Sequence, residues 1–243
     1  MTQVYNDISN DAFEKIYSSI REKEKRVYTD TQVALLPLIH SGHVHYKEWR
    51  VRRRSANKLV TYLSKKKKKL SVLEVGCGNG WLSAKMASIA SSHVTGIDIN
   101  SIELEQAKRV FKKRKNVDFI ETDLRRNDLA GKKYDVIVFA ASISWFESLE
   151  NIIPRALSFL TDTGEIHILD SFFYEPAAID NARKRCEEYY ISLGHPEMAA
   201  TYFHHGIESL KNYQHKILYN PQGLKNKILG NADPFPWIMI TNK

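Results

Sequence analysis

Six strand-favouring residues, Leu70–Val75, run without a break into Gly76-Cys77-Gly78-Asn79-Gly80, and a helical pattern opens at Trp81. Glycine at every second place leaves bare main chain between a strand and a helix, so the backbone can turn sharply there. A ligand can lie against such main chain, with the N–H groups of the following helix pointing at it. This is a ligand-binding bend. A dinucleotide loop of the G-x-G-x-x-G kind needs glycine at the place held by Trp81, whereas here the third glycine comes one residue early.

Beyond the bend, short β-rich runs alternate with amphipathic helical stretches, the pattern of an α/β domain with a mainly parallel sheet. Strands are predicted over 70–75, 93–99, 117–121, 134–140 and 165–171, with helices over 81–90, 100–111 and about 151–160. Asn100 and Glu103 have the spacing of a helix cap. A helical insert is expected at about 172–213, and 215–220 with 236–241 read as a closing pair of strands, making seven. Ahead of the sheet, 11–27 and 45–64 read as helices, and Lys65–Lys69 as a solvated linker. The expected division is an N-terminal helical extension or cap, 1–69, and a main domain, 70–243.

Charge is unevenly divided. Residues 1–70 hold 16 Lys and Arg against 7 Asp and Glu, while 71–243 hold 20 against 21. A basic segment of this kind suits nucleic acid, phosphorylated metabolites or anionic lipid heads. The two cysteines, Cys77 and Cys186, provide neither a disulfide framework nor zinc spacing, so no metal is expected and a reducing cytoplasm is the natural location. The longest apolar stretch falls short of the roughly 20 residues of a membrane span. The N-terminus lacks the basic start and apolar run of a secretory signal.

Leu73-Glu74-Val75 followed by G-x-G-x-G resembles motif I of the class I S-adenosylmethionine-dependent methyltransferases, and later landmarks keep the resemblance going from Leu70 to the C-terminus. It implies a Rossmann-like sheet of seven mainly parallel strands, the last antiparallel, with helices on both faces. Gly76, Cys77, Gly78 and Gly80 would form the donor loop, and Glu74 would help receive the ammonium of the methionine part. Asp98, 18 residues beyond Gly80, matches the acid that grips both ribose hydroxyls, two acceptor oxygens meeting two donors. Ile99 would lie at the adenine edge. Asp123 matches the acid that accepts from the adenine amino group, with the Leu124 amide nearby, and Ala140 and Ser142 are the motif IV positions. The implied cofactor is S-adenosylmethionine, which leaves as S-adenosylhomocysteine.

The reaction expected is direct displacement of the methyl group onto a small-molecule acceptor, with an anionic one suited to the basic cap. Any general base would come from the nine histidines. His43 and His45 precede the second N-terminal helix and read as a metal pair, a base or plain surface histidines. His204 and His205 lie in the insert, and Ser144 and Trp145 are expected to line the acceptor pocket, with simple packing the other reading of Trp145. Arg50, Arg52, Arg53 and Arg54 spread around more than half a helix, which reads as a solvated face or an anion site. Ala140-Ala141-Ser142-Ile143 lacks the Asn/Asp-Pro-Pro-aromatic signature of adenine and glutamine amino-methylating enzymes, and Cys186 is unsuited to cytosine C5 chemistry. Two other readings remain at this stage: an RNA methyltransferase using the basic segment, and a non-catalytic module that binds the donor or its demethylated product.

Overall fold

The computed structural model describes residues 10–66, 69–223 and 233–242. Lys67 and Lys68 of the expected linker, and the first nine residues, lie outside them. Strands β1 (Leu70–Val75), β2 (Ser92–Asp98), β3 (Val117–Glu121), β4 (Tyr134–Ala140), β5 (Leu160–Leu169), β6 (His215–Tyr219) and β7 (Trp237–Thr241) form one sheet in the order β3-β2-β1-β4-β5-β7-β6. The first five pair in parallel, and β7 runs antiparallel to both β5 and β6. This is the Rossmann-like arrangement expected.

The central strands are apolar on both sides because helices cover both sheet faces. On one face Leu70, Val72, Val136 and Val138 join Leu59 and Leu63 of α3 (Tyr46–Ser64) and Leu82 and Met86 of α4 (Trp81–Met86). On the other, Leu73, Val75, Ile137 and Phe139 meet Ile152 and Ile153 of α6 (Leu149–Leu157). Since α3 shares a core with β1, the segment before the sheet is packed onto it. A third, smaller cluster joins Ile20 of α1 (Asn10–Lys23) to Tyr190 of α7 (Pro176–Ser192) and Met198 of the 3-10 segment Pro196–Thr201.

Some boundaries differ from the sequence expectations. A short α2 (Asp30–Leu35) starts at a capping box in which Thr29 and Gln32 bond each other reciprocally. The helix after the bend stops at Met86, because Ser88 and Ile89 N–H turn back to the Lys85 and Met86 carbonyls. Strand β5 starts at Leu160, where Tyr134 pairs with it before the register shifts. In the insert only α7 is α-helical; the rest includes 3-10 turns at Pro196–Thr201 and Ile207–Leu210. Between β2 and β3, α5 (Ser101–Phe111) begins at Asn100, whose side chain accepts from the Glu103 N–H as its spacing requires.

Candidate functional site

Parallel sheets of this kind bind ligands beyond the carboxyl ends of their strands. Here the ends of β1, β2 and β4 bring the glycine bend, Asp98 and Ala140 together. The bend needs glycine because its surroundings leave no space and its backbone is left-handed. At Gly76, φ is +74° and a Cβ would stand 2.5 Å from Ser142 Cβ; at Gly80, φ is +75° and a Cβ would stand 2.5 Å from the Phe119 ring. Both Gly76 and Cys77 N–H donate to the Ile97 carbonyl, at 2.8 and 3.0 Å, which ties the bend to β2.

Asp98 is held at both oxygens. Gly78 N–H donates to Oδ2 at 2.7 Å and Asn100 N–H to Oδ1 at 2.9 Å. Each oxygen keeps acceptor capacity for another partner. Burial raises the carboxyl's pKa, and these backbone N–H groups pull it back. Glu74, 3% exposed, accepts from the Ser83 hydroxyl. Burial, helped by the charge of Asp98 and opposed by Ser83, lifts its pKa to about 8. Asp123 behaves differently: burial raises its pKa, but Arg125 outweighs burial and brings it down. The guanidinium reaches both oxygens at 2.9 and 2.5 Å, and the Arg125 N–H adds a bond of 2.8 Å.

These groups border one cavity of about 1070 Å³. Of the residues expected to bind the donor, all but Gly80 line it; Gly80 sits behind, against Phe119 and Ala107. Ser142 is fixed there by donating to the Val75 carbonyl at 2.5 Å, and Ile99 stands at the rim, 37% exposed. The volume is at the top of the range of about 300–1,000 Å³ usual for a small-molecule site, so there is space for two ligands.

The residues weighed as bases are scattered. His204 lines the cavity between Tyr174 and Tyr202, with its Nδ1 buried and unpartnered. Burial, then the charges of Arg183 and Arg185, lower its pKa. His205 is turned inward, bonding the Ile143 carbonyl through Nε2 at 3.2 Å. Ser144 is buried outside the lining, and its carbonyl accepts from Phe203 N–H at 2.7 Å. His43 and His45 stay clear of the cavity: the His43 ring lies 5.7 Å from Tyr28, and His45 Nε2 donates to the Glu24 carbonyl at 2.6 Å.

Of the four clustered arginines, Arg52 alone reaches the lining. Arg54 pairs with Asp233 at 2.5 Å, while Arg50 and Arg53 are exposed. Arg26 and Arg52 bracket Glu48, Arg26 Nη2 at 2.6 Å and Arg52 Nε at 2.9 Å. Burial raises the Glu48 pKa, but these two guanidiniums outweigh it and bring it to about 2. Nine carboxylates and five arginines line the cavity, so the basic surplus of the N-terminal segment is not delivered into it.

Two groups stand out among the lining residues that lie outside the sequence-derived set. Phe13, Tyr17, Ile20 and Arg21 form one face of α1 along the cavity, with Glu24 just past its end, and the Phe13 and Tyr17 rings stand 6.0 and 5.9 Å from Trp145. Their helical spacing is visible in the sequence; their destination is not. The second is Asp170, just past β5, with φ +53°, 9% exposed and with Oδ1 unpartnered.

Residues 72–164 match the family described as Methyltransferase domain. The malonyl-[acyl-carrier protein] O-methyltransferase of Halalkalibacterium halodurans is 27% identical over 147 residues, 57% of this chain and 54% of that protein. Malonyl-[acyl-carrier protein] O-methyltransferase 1 of Ilyobacter polytropus is 32% identical over 117 residues, 48% of this chain and 43% of that one. The chain thus spans about half the length of the curated relatives it matches. Among solved structures, magnesium protoporphyrin IX methyltransferase from Synechocystis PCC 6803 with bound SAH has a TM-score of 0.61 at 15% identity, covering 96% of this chain and 99% of that chain. A plantazolicin methyltransferase complex has a TM-score of 0.57 at 18% identity, covering 94% and 90%. At these identities the likeness is one of fold.

Proposed function

The chain belongs to the class I S-adenosylmethionine-dependent methyltransferases, and on that premise we propose that it moves a methyl group from S-adenosylmethionine to a small-molecule acceptor held in the same cavity. The observation that carries the proposal is the double hold on Asp98, which steadies two acceptor oxygens beside the glycine bend at the cavity wall. The residues present fit an adenosyl donor. Asp98 would receive the two ribose hydroxyls and Asp123 the adenine amino group. At the other end, Glu74 and the buried, unpartnered Asn79 Oδ1 are acceptors suited to an ammonium.

When bound, the sulfonium supplies a methyl carbon open to displacement by the acceptor. The protein's share is alignment, which in favourable cases removes about 7–11 kcal/mol of a barrier. Ser142, locked onto the Val75 carbonyl, and Ala140 would define the wall along which the acceptor meets that carbon. For an acceptor that must shed a proton, His204 is the histidine lining the cavity, and burial keeps its imidazole in the neutral, proton-accepting form. Such a base contributes roughly 10²–10⁴ in rate.

The basic segment gives RNA little to bind at the site, because Arg26, Arg52 and Arg54 are paired with Glu48 or Asp233. Among the described residues, no helix is long and apolar enough to cross a membrane. A cytoplasmic location belongs to the same proposal and is supported by two free cysteines. Calorimetric titration of S-adenosylhomocysteine into the wild type and Asp98→Ala tests the donor reading. A loss of at least tenfold in the variant is expected; equal affinities, or no binding to either, would overturn it.

A further inference from the structure

We propose that Asp170 is the anchor for the methyl acceptor, and that the acceptor is an amine carried on an aromatic or apolar body, its N–H donated to Asp170 Oδ1. This rests on the methyltransferase reading above and adds the substrate class.

Position comes first. Ala140 pairs with Leu169 across β4 and β5, and Ala141 N–H donates to the Leu169 carbonyl at 3.0 Å. Asp170 therefore stands next to the motif IV segment where transfer would occur. Both Ala141 and Asp170 are left-handed, at φ +58° and +53°, as are Lys25 and Ser91 elsewhere; the conformation is uncommon for a residue with a side chain, and here two such residues stand side by side. The turn aims Asp170 into the cavity lining.

The carboxylate is then half-satisfied. Ser55 Oγ, on α3, stands 3.0 Å from Oδ2 and 3.0 Å from the Arg52 carbonyl, so its one proton is shared between two acceptors, while Oδ1 is buried with no partner. A buried acceptor without a donor is costly, and a ligand N–H is the complement it lacks. Arg52 acts on Asp170 through its charge, yet its Nε is given to Glu48, and burial leaves the Asp170 pKa raised. Asp170 also touches a hollow of about 10 Å³ beside Ser55, Lys58 and Asp233, with space for one water at most.

Sign and shape select the class. Even with the largely protonated Glu74 left out, acidic side chains outnumber arginines in the lining, and each of Arg26 and Arg52 already faces Glu48, so the cavity favours a cation over an anion. Its wall carries Phe13, Tyr17, Trp145, Tyr202 and the close pair Phe172 and Phe235, whose ring centroids are 4.6 Å apart. Aromatic faces hold flat apolar bodies and attract cations. The amine would enter as an ammonium and release one proton to solvent. Its lone pair then forms the N–C bond while the C–S electron pair stays on sulfur, and the product leaves as the methylated ammonium.

The test is calorimetry on protein saturated with S-adenosylhomocysteine, using 2-phenylethylamine and tryptamine against 3-phenylpropionate and indole-3-propionate. The amines should bind at least about tenfold more tightly than the carboxylates. Asp170→Asn should weaken the amines about ten- to a hundredfold while leaving S-adenosylhomocysteine affinity within twofold. Carboxylates binding as tightly as the amines, or amine affinity unchanged in Asp170→Asn, would overturn the proposal; the second result would make Asp170 a group satisfied by water in the small hollow. If the variant fails to fold, the wild-type comparison of amines with carboxylates decides alone. A wild type that does not bind S-adenosylhomocysteine removes the methyltransferase reading itself, whereas binding without an amine preference removes only this inference.

Discussion

Binding of S-adenosylhomocysteine should release a proton, and Glu74 should be its source. With a pKa of about 8, Glu74 is roughly nine-tenths protonated at pH 7. An ammonium arriving at the end of β1 supplies the positive charge that this buried carboxyl lacks, so the carboxyl ionises. One unit between pKa and pH corresponds to about 1.4 kcal/mol, which binding must supply at pH 7. Affinity should consequently rise up to about tenfold per pH unit and level off near pH 8. Titrations at pH 7 in phosphate and Tris, whose ionisation enthalpies differ, count the protons: about 0.9 for the wild type and none for Glu74→Gln. A wild-type enthalpy that ignores the buffer, or equal release from the variant, would refute the reasoning. The same group acts on stability without ligand. Its native pKa lies above the ordinary 4.5, so its contribution is complete below about pH 4.5 and is lost as pH rises through about 8. Glu74→Gln should flatten that stretch of the stability curve.

Three further outcomes follow from the geometry. Gly80→Ala combines a left-handed backbone with a methyl 2.5 Å from the Phe119 ring, and should cost about 2–4 kcal/mol in urea unfolding; an unchanged midpoint would contradict the packing described. Glu48 has the opposite sign to Glu74: its pKa of about 2 makes its contribution present above pH 4.5 and lost as pH falls through 2. Partial exposure limits that contribution to about 2 kcal/mol, and Glu48→Gln should reduce the difference in stability between pH 6 and pH 3. Arg50→Gln with Arg53→Gln, both on the solvent side of α3, should change S-adenosylhomocysteine affinity by less than about twofold, and a larger loss in calorimetry would show that the charge of this helix acts on the donor at long range.

What the sequence disclosed is what neighbouring residues decide. Strands β1 and β4 begin and end where their apolar runs do, because strands buried on both faces have little polar alternation to blur them. The N-terminal part of β5 was hidden, since Thr161-Asp162-Thr163-Gly164 has the composition of a turn and is drawn into the sheet by pairing of Leu160 with Tyr134. The bend and Asp98 were legible because a strand, a turn and a second strand tip lie within thirty residues of one another. By contrast, His43 and His204 look alike in sequence. One stacks on Tyr28 away from the cavity and the other lines it, a difference created by the packing of elements distant in the chain. Asp170 carries no local mark either: its importance lies in a missing hydrogen bond and a backbone angle.

The lining of the cavity draws on separate stretches of the chain. Glu74, the glycine bend, Asp98 and Asp123 all fall within 72–164, the stretch held in common with the wider family, while α1, Asp170 and α7 stand outside it. On the proposed reading, acceptor preference would drift by exchange of the flanking segments while the residues proposed to face the nucleoside stay as they are. On that reading, re-specifying the acceptor would take exchange of α1 and of Asp170 together with 172–213, because the proposed acceptor wall draws on all three.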